Sequence, residues 1–395
     1  MQKRQFLQIA CNSALTSVAA SALAMFSVPA MAQSVESDAV VRQYGELVFA
    51  AYSDNLTGAL AMQKAISALL AAPSAQTLSD ARKSWLAARE WYLQTEAFRF
   101  YGGPIDDEKG PEGRINSWPM DESYVDYVVG KPNAGLINDR RVQISKASLS
   151  RLSGRGGEEN VSTGWHAIEF ILWGQDVSNT GPGDRPFEDF VDGKKNNADR
   201  RRTFLQTVTD LLIDDLRYLV TAWTPSAPNY RAKFERDGTE SIRKMFVGLG
   251  SLSRGELAGE RMEVAMNTQD QEDEHSCFSD NTHRDVVGDA LGIENVWLAR
   301  FNRRDGSVVQ GASLFGLVAA EDAAVAERVS KQIRQSVVFA EDIPAPFDHA
   351  IKGANDAPGR VRIRKTIDSL VQQSKDLADA AGVLGITRLT QAKSK

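Results

Sequence analysis

Apolar residues recur in this chain with helical spacing over long stretches, and this spacing constrains the fold more than any other feature. Between Val41 and Leu69 they fall three and four residues apart, and Pro73 follows. Alternating patterns typical of strands are nearly absent. The sequence therefore predicts an all-α fold built from helical bundles. Further helices are predicted over residues 79–98, 200–223, 234–249, 256–274, 286–302, 315–339 and 361–381, with a glycine-rich break at 248–251.

The chain is long enough for two domains. Pro225 and Pro228 follow the helix predicted over 200–223 and mark the best boundary. We therefore expect two helical-bundle domains in series, 33–225 and 226–395. Residues 94–96 and 268–270 each place Gln, Thr and an acid late in a helix, which hints at an ancient duplication.

Residues 1–32 have the features of a secretory signal peptide. Lys3 and Arg4 give a positive start, residues 14–28 are small and apolar, and the segment ending at Ala32 supplies a cleavage signal. We expect export to the periplasm, with association to the outer membrane as an alternative. No later stretch predicts a transmembrane segment. Only Cys277 remains after cleavage, which excludes an intramolecular disulfide.

The composition is acidic, with 46 Lys and Arg against 52 Asp and Glu and a formal net charge of −6. Loss of Lys3 and Arg4 with the signal peptide makes the mature chain more acidic still. Nucleic acid and anionic membranes attract basic surfaces. We therefore expect no nucleic-acid partner.

The sharpest chemical signal lies in residues 164–176, where His166 and Glu169 interrupt an apolar and aromatic run. Their spacing places both side chains on one face of a helix. A buried pair of ionisable groups that binds nothing would be a costly way to build a core. The sequence therefore predicts that His166 and Glu169 form half of a metal site.

Candidates for the other half are Glu96, before a Gly-Gly-Pro turn, and Asp106 in the loop that follows. Carboxylates with one imidazole suit iron or another hard divalent metal, although zinc stays an alternative. A zinc peptidase would need a second histidine on the motif helix, and Phe170 occupies that place. The candidate metal ligands are His166, Glu169 and Glu96, with Asp106 or Asp107 from the loop, and the alternative for these outside carboxylates is a solvated or helix-capping role.

The second half contains an acidic and histidine-rich segment, residues 270–283. The spacing from Glu272 to His275 occurs in helical di-iron sites, but a di-iron bundle needs two such motifs and two further glutamates. The polar residues that follow predict the lining of a site or a helix cap. Further pocket candidates are Trp165, Asp270, Asp273, His275, Ser279 and His283.

The motif Gly164-x-His166-x-x-Glu169 resembles that of the imelysin-like family, also called peptidase M75 or the iron-regulated protein A group. Segments 94–100, 103–106, 116–119 and 270–281 are similar to the iron-regulated branch. The resemblance implies a two-domain helical protein linked to bacterial iron acquisition. It also implies metal binding by Glu96, Asp106, His166 and Glu169.

Three functions remain open from the sequence. The first is an exported protein that binds a metal ion or iron complex for a periplasmic or outer-membrane uptake component. The second is a metallopeptidase in which Glu169 or Glu96 serves as general base. The third is a metal-free module whose loops 103–160 and 276–283 frame a pocket for a ligand or partner.

Overall fold

The computed structural model describes residues 36–390, so the predicted signal peptide lies outside the described residues. Within this range the protein is all-α as predicted, apart from one short antiparallel hairpin of β1 (Arg300–Asn302) and β2 (Val308–Gln310). The helices are α1 (Ser37–Ala71), α2 (Ala75–Leu93), α3 (Glu112–Ile115), α4 (Glu122–Val125), α5 (Lys146–Leu152), α6 (Gly164–Trp173), α7 (Ala198–Trp223), α8 (Tyr230–Arg236), α9 (Thr239–Ser251), α10 (Val264–Thr268), α11 (Thr282–Leu298), α12 (Leu314–Glu321), α13 (Ala323–Glu341), α14 (Phe347–Ile351) and α15 (Pro358–Val383).

The helices pack around one continuous apolar core. In the first half α1 packs along α2 and α7, and α6 lies against both α2 and α7. In the second half α15 packs on α13, and α11 packs on α13 and on α2. The described residues form one compact unit, so the boundary near residue 225 and the duplication stay predictions. Within residues 36–390, no helix has the length and apolar character needed to cross a membrane.

The predicted break at 248–251 is wrong. Helix α9 runs through Gly248 and continues as a π-helical segment, Leu252–Glu263, into α10. A Cβ on Gly248 would lie 2.7 Å from the carbonyl oxygen of Ala97. This glycine therefore lets α9 approach the 3₁₀ turn Glu96–Phe98 closely, and it does not end a helix.

Other helices also differ from their predicted bounds: the helix predicted over 315–339 is split into α12 and α13, those predicted over 256–274 and 286–302 end at Thr268 and Leu298, and two further cases have a clear local cause. The helix predicted to begin at 79 begins at Ala75, because Ser74 and Thr77 form a capping box. The helix predicted over 234–249 is two helices, α8 and α9, separated by Gly238 at a φ of +53°. Local capping and backbone chemistry set both differences.

Candidate functional site at the motif helix

Helix α6 carries the motif into the core, and its two ends are set by glycines. Gly164 has a φ of +83°, and a Cβ there would fall within 3.0 Å of the carbonyl oxygen of Ile115. Gly174 follows the helix at a φ of +77°. All ten residues of α6 are buried. Helix α6 is therefore fully buried, and its N-terminal end packs closely against α3.

Replacing Gly164 by alanine is expected to lower the free energy of unfolding by about 2–4 kcal/mol, because it adds a left-handed backbone penalty to a steric overlap. Denaturant unfolding measures this loss. Gly154→Ala is the matched control, since Gly154 has a φ of +74° and nothing within 4 Å of its Cβ position. It should cost about 1–2 kcal/mol. Equal losses in both variants would contradict the close approach.

His166 and Glu169 form a buried pair on α6, as predicted. The Nδ1 atom of His166 lies 2.9 Å from Oε2 of Glu169. The other carboxylate oxygen, Oε1, accepts hydrogen bonds from the Ser279 backbone N–H at 3.0 Å and from its hydroxyl at 2.7 Å. Both oxygens of Glu169 are therefore engaged, and its carboxylate fixes the orientation of the His166 ring.

A second histidine–carboxylate pair faces the first. His275 Nδ1 lies 2.6 Å from Oδ2 of Asp285, which lies in the first turn of α11. Asp285 also accepts hydrogen bonds from the Ser276 hydroxyl at 2.6 Å and from the Asn281 amide at 3.2 Å. The rings of His166 and His275 meet edge to face with centroids 4.8 Å apart. Two imidazoles with the same kind of support therefore lie side by side.

The guanidinium group of Arg89, on α2, lies between the two imidazoles. Its Nη2 atom is 3.4 Å from Nε2 of His166, 3.4 Å from Nε2 of His275 and 3.2 Å from Oδ2 of Asp285. Its Nη1 atom donates to the Asn116 side-chain oxygen at 2.5 Å. For His275 the contacts favour the Nδ1–H tautomer, because Nδ1 lies 2.6 Å from Asp285 while the Asn116 amide nitrogen lies 3.5 Å from Nε2. Arg89 Nη2 is also 3.3 Å from Nδ1 of His275. His166 donates from Nδ1 when Glu169 is ionised. We call the following six side chains the histidine–arginine network: Arg89, Asn116, His166, Glu169, His275 and Asp285.

The charges in the network balance. Burial lowers the pKa of His166 well below its usual range, and the Arg89 charge lowers it further. Burial and the Arg261 charge lower the pKa of His275 to about 4, so both rings are neutral near pH 7. Burial alone would raise the pKa of Asp285, but Arg89 and His275 hold it well below its usual range. One buried cation therefore faces one buried carboxylate.

Glu169 differs from Asp285 in protonation. Burial raises the pKa of Glu169 to about 8, while its hydrogen bond from Ser279 acts in the opposite direction. The carboxyl group is thus poised near neutral pH, which is unusual for a glutamate. A group in this position changes its proton occupancy readily when a charge enters or leaves the site.

The other two predicted metal ligands have partners of their own. Glu96 is held by Arg99 at 2.5 Å and by Arg261 at 2.6 Å, and these guanidinium groups lower its pKa against the effect of burial. Asp106 closes its own loop by accepting hydrogen bonds from the backbone N–H groups of Phe100 and Gly103. The network contacts described above include neither carboxylate.

The structure sorts the remaining pocket candidates into two groups. His275 is a member of the network, Ser279 donates two hydrogen bonds to its Glu169, and Trp165 lies beside it, with the Arg89 guanidinium 5.8 Å from its ring. Three candidates lie outside the network: Asp270 is exposed and caps a 3₁₀ turn, and Asp273 and His283 are partly exposed. Sequence reasoning missed Arg89, Asn116 and Asp285. Arg89 carried a signal, since it stands four residues after Trp85 on the buried face of α2.

The arrangement gives little support to hydrolysis. A general base needs an oxygen free to accept a proton from water, and both oxygens of Glu169 already accept hydrogen bonds. Ser276 and Ser279 each donate to a carboxylate, whereas an activated serine would donate to an imidazole nitrogen. Cys277 is buried, and burial raises the pKa of its thiol well above the usual range.

A cleft of about 310 Å³ opens at the end of α6, lined by Trp173, Tyr127 and Arg185 among others. The exposed side chains of Val129 and Val177 flank it. No residue of the histidine–arginine network lines this cleft. The third hypothesis placed a pocket between loops 103–160 and 276–283, and this cleft is lined by Tyr127 and Val129 of the first loop but by no residue of the second.

The histidines and carboxylates in the network are residue types that bind metal ions, although Arg89 now lies between the two imidazoles. Metal-binding histidines usually present one nitrogen to the metal and donate the other N–H to a carboxylate, and both His166 and His275 have that carboxylate support. The Arg89 Nη2 atom lies 3.4 Å from both Nε2 atoms and 3.3 Å from Nδ1 of His275, between the two rings. Among residues 36–390, no three His, Cys, Asp or Glu side chains stand ready to hold a metal ion as they are.

The sequence profile of the family described as Imelysin, peptidase M75, matches residues 48–377. The chain belongs to the imelysin family. The matched range contains the whole histidine–arginine network, and the family resemblance inferred from residues 164–169 is confirmed.

Other members of the imelysin family share most of this chain. Iron-regulated protein A of Synechococcus elongatus is 25% identical over 335 residues, which cover 82% of this chain and 81% of that protein. A crystal structure of a candidate iron-regulated protein A precursor from Parabacteroides distasonis matches with a TM-score of 0.67, 18% identity and coverage of 88% and 94%. An imelysin-like protein from Psychrobacter arcticum 273-4 matches with a TM-score of 0.63, 13% identity and coverage of 88% and 96%. These two structures support the fold.

Proposed function

We propose that this imelysin-family protein is exported to the periplasm and binds iron as cargo during uptake or handling. The sequence of residues 1–32 supports export, and the name of the Synechococcus relative supports a link to iron. Delivery would be to a periplasmic or outer-membrane uptake component. In this proposal the ion is bound by the Nε2 atoms of His166 and His275.

One observation supports the metal proposal: two imidazoles lie side by side with a carboxyl group at each Nδ1, and both Nε2 atoms lie 3.4 Å from Arg89 Nη2, which is also 3.3 Å from Nδ1 of His275. Imidazole nitrogens suit divalent iron and also zinc. Glu169 then orients His166 and takes no place in the coordination shell, since both its oxygens are engaged. Glu96 and Asp106 stay with their own partners.

Arg89 is the group that an incoming ion must displace. Its Nη2 atom lies 3.4 Å from each Nε2, so a metal bound there would share the space and the charge of the guanidinium. Two unit charges 4 Å apart repel by about 4 kcal/mol at an effective dielectric constant of 20. Binding therefore requires Arg89 to swing away, and Asp285 loses one of its partners when it does.

Anaerobic calorimetry of Fe²⁺ with untagged protein tests the proposal. The wild type is expected to bind one ion, and the His166→Ala, His275→Ala double variant is expected to bind none. Glu169→Gln should weaken binding about 10–100-fold, the usual effect of losing a supporting carboxylate. A parallel titration with Zn²⁺ tests selectivity.

The chain offers its own controls, because it has four histidines and the other two lie outside the network. His283→Ala and His349→Ala should bind Fe²⁺ like the wild type. Unchanged binding in the His166, His275 double variant would rule out this site. Loss of binding in a control variant would place the metal elsewhere.

A further inference from the structure

The histidine–arginine network is buried. None of its six side chains is more than 4% exposed, and His166 and His275 are each only 1% exposed. An ion can therefore reach the two imidazoles only if a covering group first moves aside. Loops that open and close over a buried site are a common solution to this problem.

Trp118 covers His275 on the side toward solvent. Its ring meets the His275 ring edge to face, with the centroids 5.7 Å apart. The other side chains described above as contacting His275 belong to the buried network, whereas Trp118 is partly exposed. Of these described contacts, Trp118 is therefore the one that reaches from His275 to the surface.

The loop that carries Trp118 is lightly held. It joins α3 to α4, and among the described residues the backbone of residues 117–120 makes no hydrogen bond to another backbone group. The chain is fixed on either side of this stretch, because Asn116 N donates to the carbonyl oxygen of Glu112 at 3.0 Å and Asp121 N donates to that of Glu159 at 2.7 Å. A segment with few backbone hydrogen bonds opens at a low cost in free energy.

One side-chain hydrogen bond ties this loop to the second half of the chain. The indole Nε1–H of Trp118 donates to the backbone carbonyl oxygen of Glu274 at 2.6 Å. The Ser117 hydroxyl donates locally, to the carbonyl oxygen of Gly113 at 2.9 Å. Among the described residues, the polar and ring contacts that hold Trp118 in place are therefore this indole hydrogen bond and the edge of His275.

We propose that Trp118 is the gate of the histidine site. Residues 117–120 move outward to expose His275, and the indole hydrogen bond to Glu274 closes them again. As a gate for iron, this inference rests on the proposed function. The control of access to His275 is a property of the metal-free protein and can be measured without any metal.

Chemical modification of the histidines in metal-free protein tests the gate. Diethyl pyrocarbonate acylates neutral imidazole nitrogens, and peptide mass spectrometry reports a rate for each of the four histidines. His275 is expected to react slowly in the wild type and about tenfold faster in Trp118→Ala, because the covering ring and its hydrogen bond are gone. His349 is half exposed and should react at the same rate in both proteins.

Two further variants separate gating from a general loosening of the fold. Trp118→Phe keeps a ring over His275 but loses the N–H, so its rate should lie between those of the wild type and Trp118→Ala. If Trp118→Ala does not fold, Trp118→Phe serves in its place. Trp91→Ala is the matched control, since Trp91 is also partly exposed but packs on Phe301, with ring centroids 6.1 Å apart. It should leave the reaction of His275 unchanged.

Two results of the labelling would overturn the gate. The first is an equal rate for His275 in the wild type and in the Trp118 variants. The second is a rise of the same size in Trp91→Ala, which would show that any loosening of the fold exposes His275.

Stopped-flow mixing with Fe²⁺ under anaerobic conditions separates the gate from the proposed cargo. A gate changes how fast an ion enters and leaves, and it shifts the affinity only if the ion prefers one gate position. Trp118→Ala should therefore raise the association and dissociation rate constants together, each about tenfold, and leave Kd within about twofold. A weaker Kd with an unchanged association rate would mean that Trp118 supports the bound ion, and would overturn the gate. A wild type that binds no Fe²⁺ would overturn the proposed function, while the labelling of His275 would still decide the gate.

Discussion

Replacing Arg261 by methionine is expected to lower the free energy of unfolding by about 3–5 kcal/mol, a large part of the stability of a typical protein. Arg261 is 2% exposed and donates to Asp289 at 2.7 Å, to Glu96 at 2.6 Å and to Glu256 at 2.8 Å. Glu96 keeps Arg99, but Asp289 is fully buried and has no second ion pair among the described residues. Methionine fills similar space without charge, so the loss reports the unpaired carboxylate.

Denaturant unfolding at neutral pH measures this effect, and a second substitution isolates its cause. Burial raises the pKa of Asp289 well above its usual range, and Arg261 acts in the opposite direction. Adding Asp289→Asn to Arg261→Met replaces the buried carboxyl group that has lost this partner and should recover part of the lost stability. Arg328→Met is the surface control, since Arg328 is half exposed and should cost no more than about 1 kcal/mol. Similar losses at Arg261 and Arg328 would show that the buried pair contributes little.

Replacing Arg89 by methionine is expected to raise the affinity for Fe²⁺ at least about tenfold, which corresponds to about 1.4 kcal/mol. The guanidinium competes with the ion for the two Nε2 atoms, and its removal relieves a repulsion estimated at several kcal/mol. The same change should lower stability, because Asp285 loses a buried cationic partner at 3.2 Å. The expected result for Arg89→Met is therefore a higher affinity for Fe²⁺ together with a lower free energy of unfolding.

Calorimetry well below the unfolding temperature separates the two effects. Arg284→Met is the matched control: Arg284 lies on α11, pairs with Glu90 of α2 and is partly exposed. It should leave Fe²⁺ affinity unchanged. Weaker binding in Arg89→Met would mean that Arg89 is part of the binding site, as expected for an anionic iron complex and not for a free ion.

The fold class followed from helical periodicity because most helices bury one continuous face. Residues 41–70 and 200–223 predicted α1 and α7 to within a few residues, since both carry long apolar stripes. Gly248 misled the prediction because a glycine that breaks a helix and one that permits close packing look the same in sequence. Only the approach of the Ala97 carbonyl separates the two cases.

Half of the candidate site was visible in the sequence. His166 and Glu169 stand three residues apart on one helix, so their pairing could be predicted from the sequence alone. Arg89 and Asp285 meet across 196 residues, and each resembles an ordinary charged residue of an amphipathic helix until α2 and α11 pack together. Glu96 was predicted to be a metal ligand from its local sequence, but in the structure it pairs with Arg261, which lies 165 residues away.

The histidine–arginine network draws its members from α2, the loop after α3, α6, the segment before α11 and α11 itself. No continuous fragment shorter than residues 89–285 contains the complete network, and a chain that stops before Asp285 leaves His275 without its carboxylate and Arg89 without its counter-ion. Synthesis of nearly three quarters of the chain must therefore precede any cargo binding of the proposed kind.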